Sequence, residues 1–516
     1  MDDSIIFYIV ASLSRLFLDP TNLIIILIGS FIGLLFGALP GITSVAGVAM
    51  LLPFSIFMPP HTAINFLLGA YIGAASGGGI SAILYRIPGS SEAVATVFDG
   101  YEMTKKGRVV EALTIQRFYS LLGCLVAGVL ALLITQPLAD LAVKFGPAEI
   151  FMLAIMALVF LSMFEGGFKA LLGVFLGFFL ATIGMDPYTG VSRFTFGITE
   201  IESGLYLLPI FLGLFAVPEA IRLAMNPPPP LTTMTALPRL TTRAGIKLVL
   251  RGFMFPERSF FIRTLPLIFL VAIPIGFIIG VLPAIGATTA AIYAYLIAKG
   301  ISRNPQKYGT GVPEGVAVPE SANNAAAIGT LVPTLALGIP GGGVTAILLG
   351  VLIIHGVRPG PLIFVHNPLI PYSILVGAMV IAVLAWALTP IIIYLFVKIL
   401  EMFRKNIPIL VLFIILISIL STYIVRNQVI DLWILAIFSV LGFIFERYKY
   451  PIAPIAIGFV LGDLFEVPFR RALDISGGDP SIFLRSNISI SLLIITVITA
   501  LIPRLVRIWS RRRGVR

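Results

Sequence analysis

The densest polar run in the chain is Pro319-Glu320-Ser321-Ala322-Asn323-Asn324, at the head of an apolar stretch that continues to Gly329. Two adjacent carboxamides offer N–H donors to a carboxylate and carbonyl oxygens to a cation. At a helix start they would add to free backbone N–H groups and the positive end of the helix dipole, which together favour an anion. Glu320 has two readings. It is either a carboxylate that neutralises a coupling cation or carries a proton, or an acid that the dipole favours in a capping turn. The matching run in the first half is Ser76-Gly77-Gly78-Gly79, which leads to Arg86-Ile87-Pro88-Gly89-Ser90-Ser91. Three consecutive glycines would cost an isolated helix about 1 kcal/mol each, so they suit a place where backbone approaches something closely. Arg86 either snorkels to an interface or pairs with an anionic substrate. Thr43, Ser44, Ser90, Ser91, Thr288 and Thr289 add hydroxyl ligands just after the chain breaks described next.

Those breaks come in pairs. Gly37-Ala38-Leu39-Pro40-Gly41 is followed 48 residues after Pro40 by Ile87-Pro88-Gly89, and Gly280-Val281-Leu282-Pro283-Ala284 is followed 57 residues after Pro283 by Ile339-Pro340-Gly341. Superposing the two Ile-Pro-Gly triplets aligns Gly77 with Gly329. A helix cannot run through Leu-Pro-Gly or Ile-Pro-Gly unbroken, because proline removes a donor and glycine tolerates the left-handed geometry of a cap. Non-helical backbone at membrane depth survives only against protein or a water-filled cavity. Matching Gly/Pro-interrupted segments in two halves are the best sequence pointer to a transporter site.

The elements that must position these residues are membrane helices. Of 516 residues 58% are hydrophobic and only 11% charged, where a soluble domain carries about 25% charged residues. No Asp, Glu, Lys or Arg occurs in the 66 residues from Pro20 to Tyr85, nor in Thr264–Ala298, Ser321–Val357 or Pro359–Val397. One crossing takes about 20 apolar residues, so these runs hold many. The composition predicts an all-α polytopic integral membrane protein with about 11–13 transmembrane helices. The halves should be pseudo-symmetric and inverted, with Gly/Pro-broken half-helices or re-entrant hairpins. A β-barrel is excluded because the apolar runs do not alternate.

Four segments follow: residues 1–225 as the first repeat half, 226–263 as a linker, 264–503 as the second half and 504–516 as a basic tail. The linker opens Asn226-Pro227-Pro228-Pro229-Pro230 and then carries Arg243, Lys247 and Arg251 at helical spacing. That spacing reads either as an interfacial helix on the lipid surface or as a plain linker whose charges set topology. Seven basic residues against two acids lie in Glu219–Arg263, and six basic residues with no acid lie in Arg504–Arg516. Positive charge of this kind marks the cytoplasmic side. It accounts for the net charge of +11 without nucleic acid as a partner, and the chain is expected to be a multi-pass protein of the cell membrane.

No enzyme is expected. His61, His355 and His366 lack metal-ligand spacing, Cys124 is the only cysteine, and no Walker loop is present. No cofactor is implied beyond a coupling ion. A channel would need a repeated pore helix, an embedded enzyme would need clustered His or acid pairs, and a structural subunit would not need paired backbone breaks.

The chain resembles the TctA family, the large membrane subunit of tripartite tricarboxylate transporters. The resemblance rests on Leu39-Pro40-Gly41, Ile87-Pro88-Gly89 with Asp99-Gly100-Tyr101, and Pro319-Glu320-Ser321-Ala322-Asn323-Asn324. Leu337-Gly338-Ile339-Pro340-Gly341, His355-Gly356-Val357-Arg358-Pro359-Gly360, Asp186-Pro187-Tyr188-Thr189-Gly190 and Leu461-Gly462-Asp463 also match. It implies uptake of small carboxylates such as citrate, driven by a Na⁺ or H⁺ gradient. It also implies a small four-helix membrane subunit and an extracytoplasmic solute-binding protein. The family's substrate site is expected at Asn323, Asn324, Pro40, Gly41, Pro88, Gly89, Pro340 and Gly341. Ala284, Arg86 and Gly342 stand where the family usually has glycine, a small polar residue and serine.

The residues and the resemblance together give a mechanistic expectation. Asn323, Asn324, Ser76, the hydroxyls and helix-terminal amides hold carboxylates. Carbonyls freed at the breaks hold Na⁺, or Glu320 takes a proton.

Overall fold

A computed structural model of the chain describes residues 3–39, 42–164, 166–226, 255–283 and 285–512. Pro40, Gly41, Ala284, the proline run and Arg243, Lys247 and Arg251 of the linker lie outside the described residues. Among those described, the strands are two residues each, Gly184–Met185 paired antiparallel with Ser192–Arg193. Everything else of size is helical, as a chain whose backbone must satisfy itself in lipid requires.

Among the described residues eight helices are long and apolar enough to cross a membrane, and six shorter apolar helices of 10–17 residues accompany them. The expectation of an all-α polytopic protein is met. The apolar window of Pro60–Tyr85 is 100% buried and that of Asn406–Arg426 only 28%, so the first is the protein's core and the second offers its surface to lipid. The helix Arg258–Val281 begins inside the segment assigned to the linker, and the last helix, Asn487–Arg512, runs on into the basic tail.

Each half builds one tight helix pair. Helix α1 (Pro20–Ala38) leads through the first break to the short α2 (Ser44–Ser55), and α3 (Pro60–Tyr85) follows. Gly29, Gly33 and Gly37 of α1 lie against the backbone of Phe66, Ala70 and Ala74 of α3, so close that a Cβ on any of them would overlap a carbonyl oxygen. Numbers rise together along both helices, so they run parallel. Beyond α3 lie α4 (Thr96–Lys105) and α5 (Val109–Ala142). In the second half α6 (Arg258–Val281), α7 (Gly286–Ile301) and α8 (Glu314–Gly329) follow the same order, and Gly276 and Gly280 of α6 abut the carbonyls of Ala322 and Ala326 on α8. Gly33 and Gly37 precede Gly276 and Gly280 by the 243 positions that separate Pro40 from Pro283, and Ala70 and Ala74 precede Ala322 and Ala326 by the 252 that separate Pro88 from Pro340. The sequence repeat thus has a counterpart in packing register. Close approach of this kind is how small residues hold membrane helices together without a hydrophobic driving force.

The breaks also share geometry. Leu39 and Leu282 are both extended, ψ 97° and 123°, as the residue before proline must be. Gly338 and Arg86, which each precede an Ile-Pro-Gly, are both left-handed, φ +72° and +61°. After the second Ile-Pro-Gly comes α9 (Gly343–Ile354), whose first residue lies against Val45 at the start of α2. At the other ends, His355 bonds through Nε2 to the carbonyl of Met58 at 3.1 Å. Helices α2 and α9 therefore run side by side in one direction, with their N-termini together inside the protein.

Candidate functional site

Helix α8 carries the polar residues into the core: Glu320, Ser321, Asn323 and Asn324 are each 0% exposed. The sequence reading set the asparagines at a helix start, and here the structure differs. The helix begins at Glu314, with Pro319 inside it. The cause is Asp99 on α4. Its buried carboxylate accepts from the backbone N–H groups of Gly309, Gly311 and Val312 at 2.7–3.0 Å and from the Tyr295 hydroxyl at 2.9 Å. That capped loop starts the helix before Pro319, so the free amides near the asparagines belong to other helices.

The Asn323–Asn324 pair is tied to three elements. Asn324 Nδ2 donates to the Glu320 carbonyl at 3.0 Å and to Asn323 Oδ1 at 2.5 Å, while its Oδ1 accepts from Ser76 of α3 at 3.3 Å. Asn323 Nδ2 donates to the carbonyl of Glu92 at 3.3 Å. Ser76 bonding Asn324 and Gly79 lying beside Glu320 fix α3 and α8 as antiparallel neighbours.

The Glu320 carboxylate is enclosed by donors. Thr96 of α4 gives 2.6 Å to Oε1, and Ser120 and Gln116 of α5 give 2.8 and 3.2 Å to Oε2. The Gln116 amide also donates to the Ser76 carbonyl at 2.7 Å. The three glycines now have separate reasons. A Cβ on Gly77 would overlap the Leu34 carbonyl, one on Gly78 the Ser90 hydroxyl, and one on Gly79 would crowd Gln116 and Glu320. The helix cost is met by three close approaches.

Glu92 lies in the Ser91–Ala93 turn that follows the first Ile-Pro-Gly. It is 8% exposed, and its Oε2 accepts from Ser44 Oγ at 3.1 Å and from Ser91 Oγ at 3.3 Å. Ser44 opens α2, so the turn, α2 and Asn323 meet at this one acid.

The other expected residues divide. Thr43 is exposed and caps α2, its Oγ1 accepting from Ala46 N–H at 3.1 Å. Gly89 is packed against Gly37 and Gly78 and bonds the Gly78 carbonyl at 3.2 Å, beside Pro88 and the buried Ser90. Pro340 and Gly341 are buried, with Gly341 against Thr330. Thr288 and Thr289 are half-buried on the first turn of α7, which packs on the Ser91–Ala93 turn. Arg86 is exposed and lines a cleft of about 470 Å³ with Phe98, Glu102, Tyr295, Lys299 and Tyr308.

Sequence reasoning missed Glu92, Thr96, Gln116 and Ser120. Only the last two left a signal, a polar pair one helical turn apart on a strongly apolar helix. Among the described residues no three His, Cys, Asp or Glu side chains gather as metal ligands.

Comparison with known proteins bears on the family. The chain matches the tripartite tricarboxylate transporter TctA family over residues 23–457. It is 36% identical over 501 residues to an uncharacterised 52.8 kDa protein from the TAR-I ttuC' 3' region of Agrobacterium vitis, covering 96% of each chain. A second uncharacterised protein of that organism, from the TAR-II ttuC' 3' region, is 37% identical over 232 residues, 44% of this chain and 94% of that one. No solved structure matches. The extent of the family match and the identity shared along the whole length make the chain a member of the TctA family of tripartite tricarboxylate transporters, a family of membrane permeases and not of enzymes.

Proposed function

We propose that the chain is the permease through which small carboxylates, of the tricarboxylate and dicarboxylate class, enter the cell by secondary active transport coupled to a Na⁺ or H⁺ gradient. The observation that carries this reading is the meeting of the α2 and α9 N-termini inside the protein, next to the turn that Asn323 holds. Amides at two helix starts favour a carboxylate, and carboxamides and hydroxyls add neutral donors around it. Ser44, Ser76, Asn323, Asn324 and the Pro88-Gly89-Ser90 and Pro340-Gly341 loops would form its walls, with Thr288 and Thr289 facing it from α7. An anion alone is poorly held in low dielectric, so a bound cation that offsets its charge couples the two movements. If the coupling ion is H⁺, Glu320 is the group that takes the proton.

In this proposal the two halves are inverted repeats that alternate access around the site. The parallel pair in each half, set antiparallel across α3 and α8, supports it. The end at which Arg263 pairs with Glu314 and Lys106 and Arg108 bond the Thr310 and Gly311 carbonyls is rich in basic residues, and we assign it to the cytoplasm. The permease would work with a small four-helix membrane subunit and an extracytoplasmic solute-binding protein, as the family's tripartite name suggests.

The test is uptake of labelled citrate and smaller dicarboxylates into proteoliposomes holding the chain, with and without the two partner subunits, under Na⁺ or H⁺ gradients. Gradient-dependent accumulation is the expected result. Accumulation of a different organic anion and no carboxylate would reject the substrate class, and no accumulation with all three components would reject the permease reading.

A further inference from the structure

Two carboxylates flank the asparagine pair, and their surroundings differ. Glu320 is closed off by three donors from α4 and α5. Glu92 has only two hydroxyls, from Ser44 at 3.1 Å and Ser91 at 3.3 Å, and Ser91 itself is exposed. Glu92 thus keeps 8% of its surface exposed, where Glu320 keeps none.

Among the described residues Glu92 pairs with no cation. Helices α2, α3 and α8 contain no lysine or arginine, and the one in α7, Lys299, lies in its last turn. An ionised carboxylate that is 8% exposed is costly unless something positive joins it. Both side chains that bond its carboxylate offer hard hydroxyl oxygens, and each hydroxyl keeps lone pairs for a metal ion. One negative charge calls for a monovalent ion.

We propose that Glu92, with the hydroxyl oxygens of Ser44 and Ser91, binds one Na⁺ ion beside Asn323 and Asn324. This rests on the transport reading above and names the ion and its ligands. With Na⁺ in place the turn is neutral, so a substrate carboxylate at the α2 N-terminus no longer meets the Glu92 charge. Asn323, bonded to the Glu92 carbonyl, touches both ligands' environments and ties ion binding to substrate binding.

The experiment is the melting temperature of the purified full-length chain, titrated with NaCl against choline chloride at constant ionic strength. The wild type is expected to show a saturable, Na⁺-specific rise, as ligand linkage requires. Glu92→Gln should abolish it, Ser44→Ala should raise the half-saturating Na⁺ concentration several-fold, and Glu200→Gln, a change at an exposed residue, should leave it intact. If Glu92→Gln does not purify folded, Ser44→Ala and Ser91→Ala carry the test. A wild type with no Na⁺-specific rise overturns the proposal, as does a Glu92→Gln chain, or a Ser44→Ala and Ser91→Ala pair, with the wild-type titration. Because no carboxylate is present, the result is independent of the uptake assay: a Na⁺ response lost with Glu92 in a chain that moves no carboxylate would reject the substrate class alone.

Discussion

The side-chain amide of Asn323 donates to the main-chain carbonyl of Glu92 at 3.3 Å, though the two residues lie 231 positions apart. Each follows from a different half of the chain: Asn323 from the helix that precedes the second Ile-Pro-Gly, Glu92 from the turn that follows the first. The bond makes the site a property of both halves. It also explains why a buried Asn323 is tolerated, since its donor is matched.

Asp99 should set the position of α8. Its carboxylate gathers three backbone N–H groups and the Tyr295 hydroxyl. Asp99→Asn would lose charge-assisted bonds and turn an NH₂ toward N–H donors, at a cost of about 3 kcal/mol. A melting temperature lowered by several degrees, with reduced uptake, is the expected outcome. An unchanged melting curve would show that the capped loop does not hold α8.

Arg86 occupies the left-handed region that glycine takes at Gly338. A side chain there costs about 1 kcal/mol. If Arg86 is an interfacial cap, Arg86→Gly should melt higher and keep its uptake. Loss of uptake in a stable Arg86→Gly chain would instead put Arg86 in the path of the anion.

The helix pairs predict matched effects in the two halves. Gly33→Ala and Gly276→Ala each force a Cβ onto a carbonyl oxygen of the facing helix, an overpacking cost of about 1–3 kcal/mol. Gly300, which has nothing within 4 Å of an added Cβ, serves as the contrast. Gly300→Ala should stabilise α7 by up to ~1 kcal/mol. Thermal melting of the three variants would separate close packing from a general intolerance of change.

Away from the site, the loop between residues 184 and 206 is docked by Asp186, whose carboxyl is held well below the usual range by the Tyr188 backbone N–H first and then by Arg470. A depressed folded-state value means the contribution is present above the unfolded carboxyl value of about 4 and lost as pH falls toward the lower folded one. Limited proteolysis of this loop should quicken as pH falls below that value, and Asp186→Asn should show the quickened rate already at pH 7. A wild-type loop equally resistant at pH 3 and pH 7 would contradict this.

Much of this was legible in the sequence because its signals are local. Leu-Pro-Gly and Ile-Pro-Gly break helices wherever they occur, and Asn323-Asn324 stands out in apolar surroundings. The repeat register was readable from Gly77 and Gly329 for the same reason. The shell of Glu320 was not, because Thr96, Gln116 and Ser120 come from helices some 200 positions away. Glu92 gave no signal of its own, since nothing in sequence links it to Ser44 or Asn323. The start of α8 was misjudged because the residue that caps its loop, Asp99, belongs to the other half.

The most direct test of the site is counterflow of labelled citrate in proteoliposomes carrying wild-type, Asn323→Ala and Asn324→Ala chains, matched for folded protein by gel filtration. Both variants should remain folded, and exchange should fall about tenfold or more, the equivalent of ~1.4 kcal/mol at the site. Exchange at the wild-type rate in both variants would contradict it and move the substrate away from the asparagine pair.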